Sequence, residues 1–263
     1  MSDRARIAVF KMASCDGCQL QLLDAEDSLL DLADAADIVQ FTEASSSPDR
    51  GPWDVTIVEG SISTEDQVRE IRDIREKSRF LMTIGACATS GGVQALRNTL
   101  SFGKVVATVY PTPAYIESLA TSRPISSIVN VDLELSGCPV DRGELLGAIS
   151  SLLAGATPRK STSPVCLECK RQGNVCVIVA KGEPCLGPVT RTGCGALCPT
   201  FDRGCYGCFG PSQAPNTQSL TGLFQDLGLD RDQVASRYQF ITNGAPAFRA
   251  AAQAAADGNT RDP

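Results

Sequence analysis

Histidine does not occur in this 263-residue chain. A zinc protein of this size commonly uses some imidazole, so the absence weighs against histidine-bearing metal sites. Basic excess is missing as well: 24 Lys and Arg stand against 30 Asp and Glu, a net charge of −6. Such a surface repels nucleic acid and anionic membranes, and no nucleic-acid partner is expected. No apolar run approaches the roughly 18 to 20 residues of a spanning helix, so no membrane span is expected either. Met1 to Cys15 shows neither an apolar core with a cleavage site nor a twin-arginine pair ahead of one, and the expected location is cytoplasmic. No internal repeat of fixed period is visible.

What the chain has in excess is cysteine, twelve in all. In a reducing compartment twelve thiols are better read as metal ligands than as disulfides. Cubane iron–sulfur clusters take four thiolates each, and twelve divides into three such sets with none left over. The remaining composition, 43% hydrophobic and 21% charged, is that of an ordinary globular protein.

Strand and helix signals alternate through the first part. Arg6–Phe10, Asp37–Phe41, Val55–Val58, Phe80–Ile84 and Ser127–Leu133 read as strands. Helical spacing runs from Gln19 to Ala33, and from Thr64 to about Lys77, with Glu65 and Asp66 in the first turn. A third helix covers Glu144 to Leu153 behind a capping Asp141. The mixed charges from Arg69 to Arg79 read as a solvated helix face. This alternation predicts an α/β fold with a flavodoxin-like, doubly wound parallel sheet, in which ligands sit beyond the carboxyl ends of the strands. Cys15 and Cys18 follow the first strand, Cys87 the fourth and Cys138 the fifth. Four cysteines far apart in sequence therefore fall at one sheet edge, whereas core cysteines would lie inside the elements.

The composition changes after Leu153. Ala154 to Pro164 reads as a linker, and eight cysteines follow between Cys166 and Cys208 among glycines and prolines with little periodicity. A segment so poor in apolar residues predicts an irregular domain held by bound metal. Helical signals return from Ser219, and Ala250 to Pro263 reads as a helix fraying into a disordered tail. The expected division is a flavodoxin-like domain over 1–155, a cysteine-rich domain over 156–215 and a helical extension over 216–263.

Cys15-Asp16-Gly17-Cys18 sits on a strand-to-helix turn, a place and spacing that thioredoxin-like redox motifs share. A helix N-terminus there lowers the pKa of a thiol in either case. A cluster is favoured by the two further cysteines at that edge, by Gly85 and Gly137, which give the backbone room, and by the lack of an evident cis-proline loop. For the eight later cysteines a pair of zinc sites is the alternative, since Cys166/Cys169 and Cys205/Cys208 would suit zinc ribbons.

Ser14 to Leu20, Val58-Glu59-Gly60, Gly85-Ala86-Cys87-Ala88 and Gly137-Cys138-Pro139 together resemble, in order, the small subunits of NiFe hydrogenases. The resemblance covers about residues 5 to 210. It implies that Cys15, Cys18, Cys87 and Cys138 bind a proximal 4Fe–4S cluster beside the nickel–iron site of a large subunit. Cys166, Cys169, Cys176 and Cys185 match the distal-cluster segment, where many members place histidine at the first position. Cys194, Cys198, Cys205 and Cys208 match the medial-cluster segment; some relatives have proline in place of Cys198 and hold a three-iron cluster, so a full cubane is implied here. The implied cofactors are three 4Fe–4S clusters. The implied function is electron transfer in a hydrogenase, between the large subunit and a further iron–sulfur or flavin subunit carrying the acceptor site for NAD(P), F420 or similar. An all-cysteine set fits the cytoplasmic branch that includes the sulfhydrogenase, NADP-coupled and F420- or heterodisulfide-linked enzymes. Respiratory complex I has a related subunit with adjacent cysteines in place of this CxxC, and is the weaker match. No catalytic residue for splitting dihydrogen is expected in this chain. Glu59 matches a glutamate near the proximal cluster, with a solvated loop carboxylate as the alternative. Asp16 is read as the cap of the following helix, with a place in a proton path as the alternative.

Overall fold

The structure, a computed structural model, describes residues 4–258. The described chain divides after Lys160 into two compact units.

The first unit is built on five strands: β1 (Ala5–Lys11), β2 (Ala36–Phe41), β3 (Trp53–Glu59), β4 (Ser78–Ile84) and β5 (Leu133–Leu135). All pairings are parallel, in the order β2-β1-β3-β4-β5. This is the flavodoxin-like order, and its direction reverses between β1 and β3. Successive side chains leave a strand on opposite faces, and the core divides accordingly. Ile7, Val9, Ile57, Met82 and Ile84 pack into one buried cluster. Ala8, Val58 and Leu81 pack into another.

Helices α1 (Gly17–Leu23), α2 (Asp27–Ala35) and a later helix over Arg142–Leu153 cover the first face through Leu22, Leu32 and Leu145. Helix α3 (Glu65–Lys77) covers the second through Val68, Ile71 and Ile74. Helices thus lie on both faces, as the alternation predicts. Helix α3 opens with a capping box between Thr64 and Gln67, and its outward charges are solvated and paired, Lys77 with Asp73 at 2.7 Å among them. Asp141 caps the Arg142–Leu153 helix by accepting from Glu144 N–H at 2.8 Å.

Two readings need correction. The helix expected over Gln19–Ala33 is two helices, broken at Glu26, where φ is +49°. Leu22 of the first and Leu32 of the second both join the same buried cluster. The fifth strand is also shorter and later than Ser127–Leu133. Ile125–Ser127 is a turn of 3₁₀ helix, and pairing starts at Leu133, opposite Met82. Asp132 takes over the edge just before it: its side chain accepts from Leu81 N–H at 2.7 Å and pairs with Arg75 at 2.6 Å. Between β4 and β5 the chain forms α4 (Gly85–Ser90) and α5 (Phe102–Val109). The Arg142–Leu153 helix is then α6.

The second unit contains α7 (Val165–Arg171), α8 (Val177–Lys181) and α9 (Leu197–Thr200), then α10 (Thr217–Asp226), α11 (Arg231–Tyr238) and α12 (Pro246–Asp257). It has more apolar packing than its cysteine-rich sequence suggests. Val165, Val177, Leu186 and Val189 join Phe224, Tyr238 and Phe248 in one buried cluster. The Tyr238 hydroxyl donates to Thr217 O at 3.1 Å, and burial pushes its pKa up to about 12, with Thr221 opposing. The tail expected to fray runs beyond Gly258, outside the described residues. Phe224 is fully buried, and Phe224→Ala is expected to destabilise the second unit by about 3–5 kcal/mol in urea unfolding. A loss below about 1 kcal/mol would contradict this shared core.

Candidate metal centres

The first site forms where β1, β3, β4 and β5 end. Past the strands, Met12 N–H donates to Glu59 O at 2.7 Å, and Ala13 and Ser61 exchange two backbone bonds. This holds the Cys15–Cys18 turn against the end of β3. Cys18 enters α1 and is buried, while Cys15 stays exposed. Cys87 lies on α4. Cys138 follows β5, and its loop is tied to α4 by Ala86 N–H donating to Gly137 O at 2.7 Å. Gly85 has φ +85°, and a Cβ there would collide with Cys18 Sγ. A side chain at Gly92 would meet Cys87 Sγ at 2.6 Å. The space beside both sulfurs therefore exists only because these residues are glycine.

Glu59 is no solvated carboxylate. It ends β3, is 2% exposed, and accepts from Cys18 N–H at 3.1 Å and from Gln19 Nε2 at 2.8 Å. Asp16 does not cap α1 through its side chain. Its φ of +68° turns the carboxylate toward Lys11, at 2.7 Å, and Ser14 Oγ, at 3.2 Å. The Cys138–Pro139 peptide is cis. The two added thiols still separate this site from a dithiol motif.

The electrostatics join these four residues. Burial, followed by the charges of Glu59, Cys87 and Cys138, pushes the Cys18 thiol far up, against an amide bond from Val140 at 3.4 Å. Burial foremost, then Cys138, Cys15 and Glu59, raises Cys87 to about 11, with its Gln94 hydrogen bond opposing. Cys138 is raised by burial and by the Cys15 and Glu59 charges. The expected lowering at the helix N-terminus is overridden at Cys18, because desolvation of a buried thiolate outweighs it.

In the second unit Cys166 is raised to about 11, first by burial and then by Cys185, Cys169 and Cys176. These four thiols therefore share one neighbourhood. A side chain at Gly187 would touch both Cys185 Sγ, at 3.3 Å, and Cys166 Sγ, at 3.7 Å. The remaining four form two pairs. Cys194 is raised by burial, then by Glu168 and Cys198, against amide bonds from Leu197 and Ala196. Cys205 is raised by burial and by the nearby Cys185 and Cys208. Cys205 N–H also donates to Cys185 Sγ at 3.1 Å, which brings the two groups into contact.

The donor chemistry fits iron–sulfur clusters. The twelve cysteines are free of disulfides, they are grouped, and backbone N–H groups point at Cys18, Cys185, Cys194 and Cys205. Among the described residues no three Cys, Asp or Glu side chains close on one point as a single metal ion requires. Sequence reasoning passed over Gln19, Gln94 and Glu168. The first follows a cysteine directly and the third lies between two, and those positions were the available signal.

A family model described as "NADH ubiquinone oxidoreductase, 20 Kd subunit" matches residues 15–152, the span that carries Cys15, Cys18, Cys87 and Cys138. The class is thus that of oxidoreductase subunits built on this sheet. The sulfhydrogenase 2 subunit delta of Pyrococcus furiosus is 36% identical over 86% of this chain and 95% of its own length. That is more of the chain than the span 5 to 210 read from motifs. An F420-non-reducing hydrogenase chain of Methanococcus voltae is 31% identical over 80% of this chain and 83% of its own. A crystal structure of an NAD+-reducing [NiFe]-hydrogenase in the H2-reduced state matches with a TM-score of 0.56 and 28% identity, over 59% of this chain and 94% of that one. The actinobacterial-type NiFe-hydrogenase from Ralstonia eutropha H16, 17% identical, shares the fold over 99% of this chain and 92% of its own, with a TM-score of 0.56. The chain belongs to the family of NiFe hydrogenase small subunits, alongside the sulfhydrogenase and F420-non-reducing enzymes. It is an electron-transfer subunit of a hydrogenase.

In the metal-free chain, alkylation of Cys87 is expected to be slow at pH 8, where the raised thiol stays protonated, and to rise toward pH about 11. Mass-spectrometric rates equal to those of a free cysteine would contradict the crowded site. Gly85→Ala is expected to displace Cys18 and lower bound metal in the first unit, measured by metal analysis; unchanged content would show that the space beside Cys18 is not needed.

Proposed function

We propose that this chain holds three 4Fe–4S clusters and relays electrons between the hydrogen-activating site of a large NiFe subunit and a further iron–sulfur or flavin subunit. The observation that carries the reading is the grouping of the thiols: Cys15, Cys18, Cys87 and Cys138 are coupled to one another, as are Cys166, Cys169, Cys176 and Cys185, while Cys194 pairs with Cys198 and Cys205 with Cys208 and, more strongly, with Cys185. Cys15, Cys18, Cys87 and Cys138 would hold the proximal cluster. Cys194, Cys198, Cys205 and Cys208 would hold the medial one, and Cys166, Cys169, Cys176 and Cys185 the distal one. When bound, such a cluster takes up and returns single electrons with little change of shape, at a potential set by its surroundings.

The chain's own residues supply those surroundings. Cys18, Cys185 and Cys205 are buried, which keeps water from their sulfurs. Val140 and Gly187 N–H groups donate to sulfur at 3.4 Å and favour the thiolate. Glu59 fixes the first turn of α1 and keeps a carboxylate beside the proximal set. Exposure marks where partners would approach. Cys15 and Cys138 are exposed in the first unit, the side assigned to the large subunit. Cys176 is exposed between Val175, 66% exposed, and Val179, 86% exposed, which suits contact with the further subunit. Acceptor specificity, whether NAD(P), F420 or another, then resides in that subunit, and the work is expected to take place in the cytoplasm. Among the described residues no helix is long and apolar enough to cross a membrane.

Anaerobic isolation with its partners is expected to give about twelve irons per chain, and dithionite reduction to give electron paramagnetic resonance signals. Two tightly bound zincs with no iron would refute the reading. Cys198→Pro is expected to convert one cluster to a three-iron form; unchanged iron and spectra would remove Cys198 from the ligand set.

A further inference from the structure

Glu168 stands between two thiol sets. It belongs to the first turn of α7, flanked in sequence by Cys166 and Cys169, yet its carboxylate reaches the loop that carries Cys194. One oxygen accepts from Gly193 N–H at 3.1 Å and the other from Ala196 N–H at 3.1 Å. That loop is conformationally unusual. Gly193 has φ +137°, Gly195 +61° and Ala196 +50°, a left-handed value that a residue with a Cβ keeps only when its surroundings impose it. Amides in such a turn face a common centre and suit an anion, and the Glu168 carboxylate fills that role. Gln172, one helical turn further along α7, adds a bond from its amide to Gly195 O at 2.8 Å. Ala196 is fully buried, while Gly193 is half-buried and Gly195 exposed. The carboxylate also competes with sulfur, because Ala196 N–H serves both Glu168 and Cys194.

We propose that Glu168 is a positioning residue that fixes the Cys194 loop and holds low the reduction potential of the cluster bound by Cys194, Cys198, Cys205 and Cys208. The proposal rests on the three-cluster reading. A fixed negative charge opposes the addition of an electron nearby, and a shared amide donates less to the cysteine sulfur; both lower the potential. A donor held low passes its electron onward more readily, so Glu168 favours transfer away from this cluster.

The test is a redox titration of the native complex and of its Glu168→Gln and Glu168→Asp forms, followed by electron paramagnetic resonance. The medial signal is identified as the one that Cys198→Pro alters. Glu168→Gln removes the charge at nearly constant shape, and its medial midpoint is expected to move positive while the proximal signal stays in place. Glu168→Asp keeps the charge and is expected to stay near the native value. A fully iron-loaded Glu168→Gln protein with an unmoved medial midpoint overturns the proposal, as do equal shifts in the two variants. If Glu168→Gln fails to load iron, Glu168→Asp decides: near-native iron and midpoint support the charge, and equal iron loss overturns it. Failure of the three-cluster reading itself is distinguishable, since the native complex would then show no medial signal before any substitution.

Discussion

Buried thiols crowded together cannot all ionise without a cation among them. Every raised thiol in this chain is raised first by desolvation and then by the negative charge of other cysteines, joined by Glu59 or Glu168 at some of them. A positively charged metal core removes both penalties at once, by accepting the sulfurs as ligands and cancelling their repulsion. The same constraint explains why amides are directed at these sulfurs and why buried acids such as Glu59 carry two donors of their own.

Parallel strand order does the rest of the assembly in the first unit. With β1 and β3 adjacent and β4 and β5 beyond, the loops carrying Cys15, Cys18, Cys87 and Cys138 leave from one edge of one sheet. Binding at the reversal of strand order is the general rule for open α/β sheets. Here Gly85 and Gly92 leave the room that the Cys18 and Cys87 sulfurs occupy. The second unit solves a harder problem, since its cysteine-rich segment has few regular elements. It borrows a core from α10, α11 and α12, with Phe224, Tyr238 and Phe248 packed under Val165, Leu186 and Val189.

Much of this was legible in the residues. Four strands stood out because buried parallel strands are runs of Ile, Val, Leu and Phe, and the cysteines announced themselves by falling just beyond strand ends. The fifth strand was misplaced because Ile128 to Val131 is as β-branched as a strand, and nothing local shows that Asp132 seals the edge first. The break at Glu26 carries no glycine or proline to mark it. The core of the second unit was hidden because its apolar residues are scattered from Val165 to Ala255 with no shared period. Glu59 and Glu168 could be noticed as acids beside cysteines, but their burial and their amide partners are tertiary facts.

The central claim is that three separate groups of cysteines each hold their own iron–sulfur cluster. Iron-edge anomalous diffraction from crystals of the anaerobically isolated complex tests it most directly. The account expects three distinct iron centres in this chain, one at Cys15/Cys18/Cys87/Cys138, one at Cys166/Cys169/Cys176/Cys185 and one at Cys194/Cys198/Cys205/Cys208. Iron missing from any of the three, or a single centre shared between the two groups of the second unit, would contradict it.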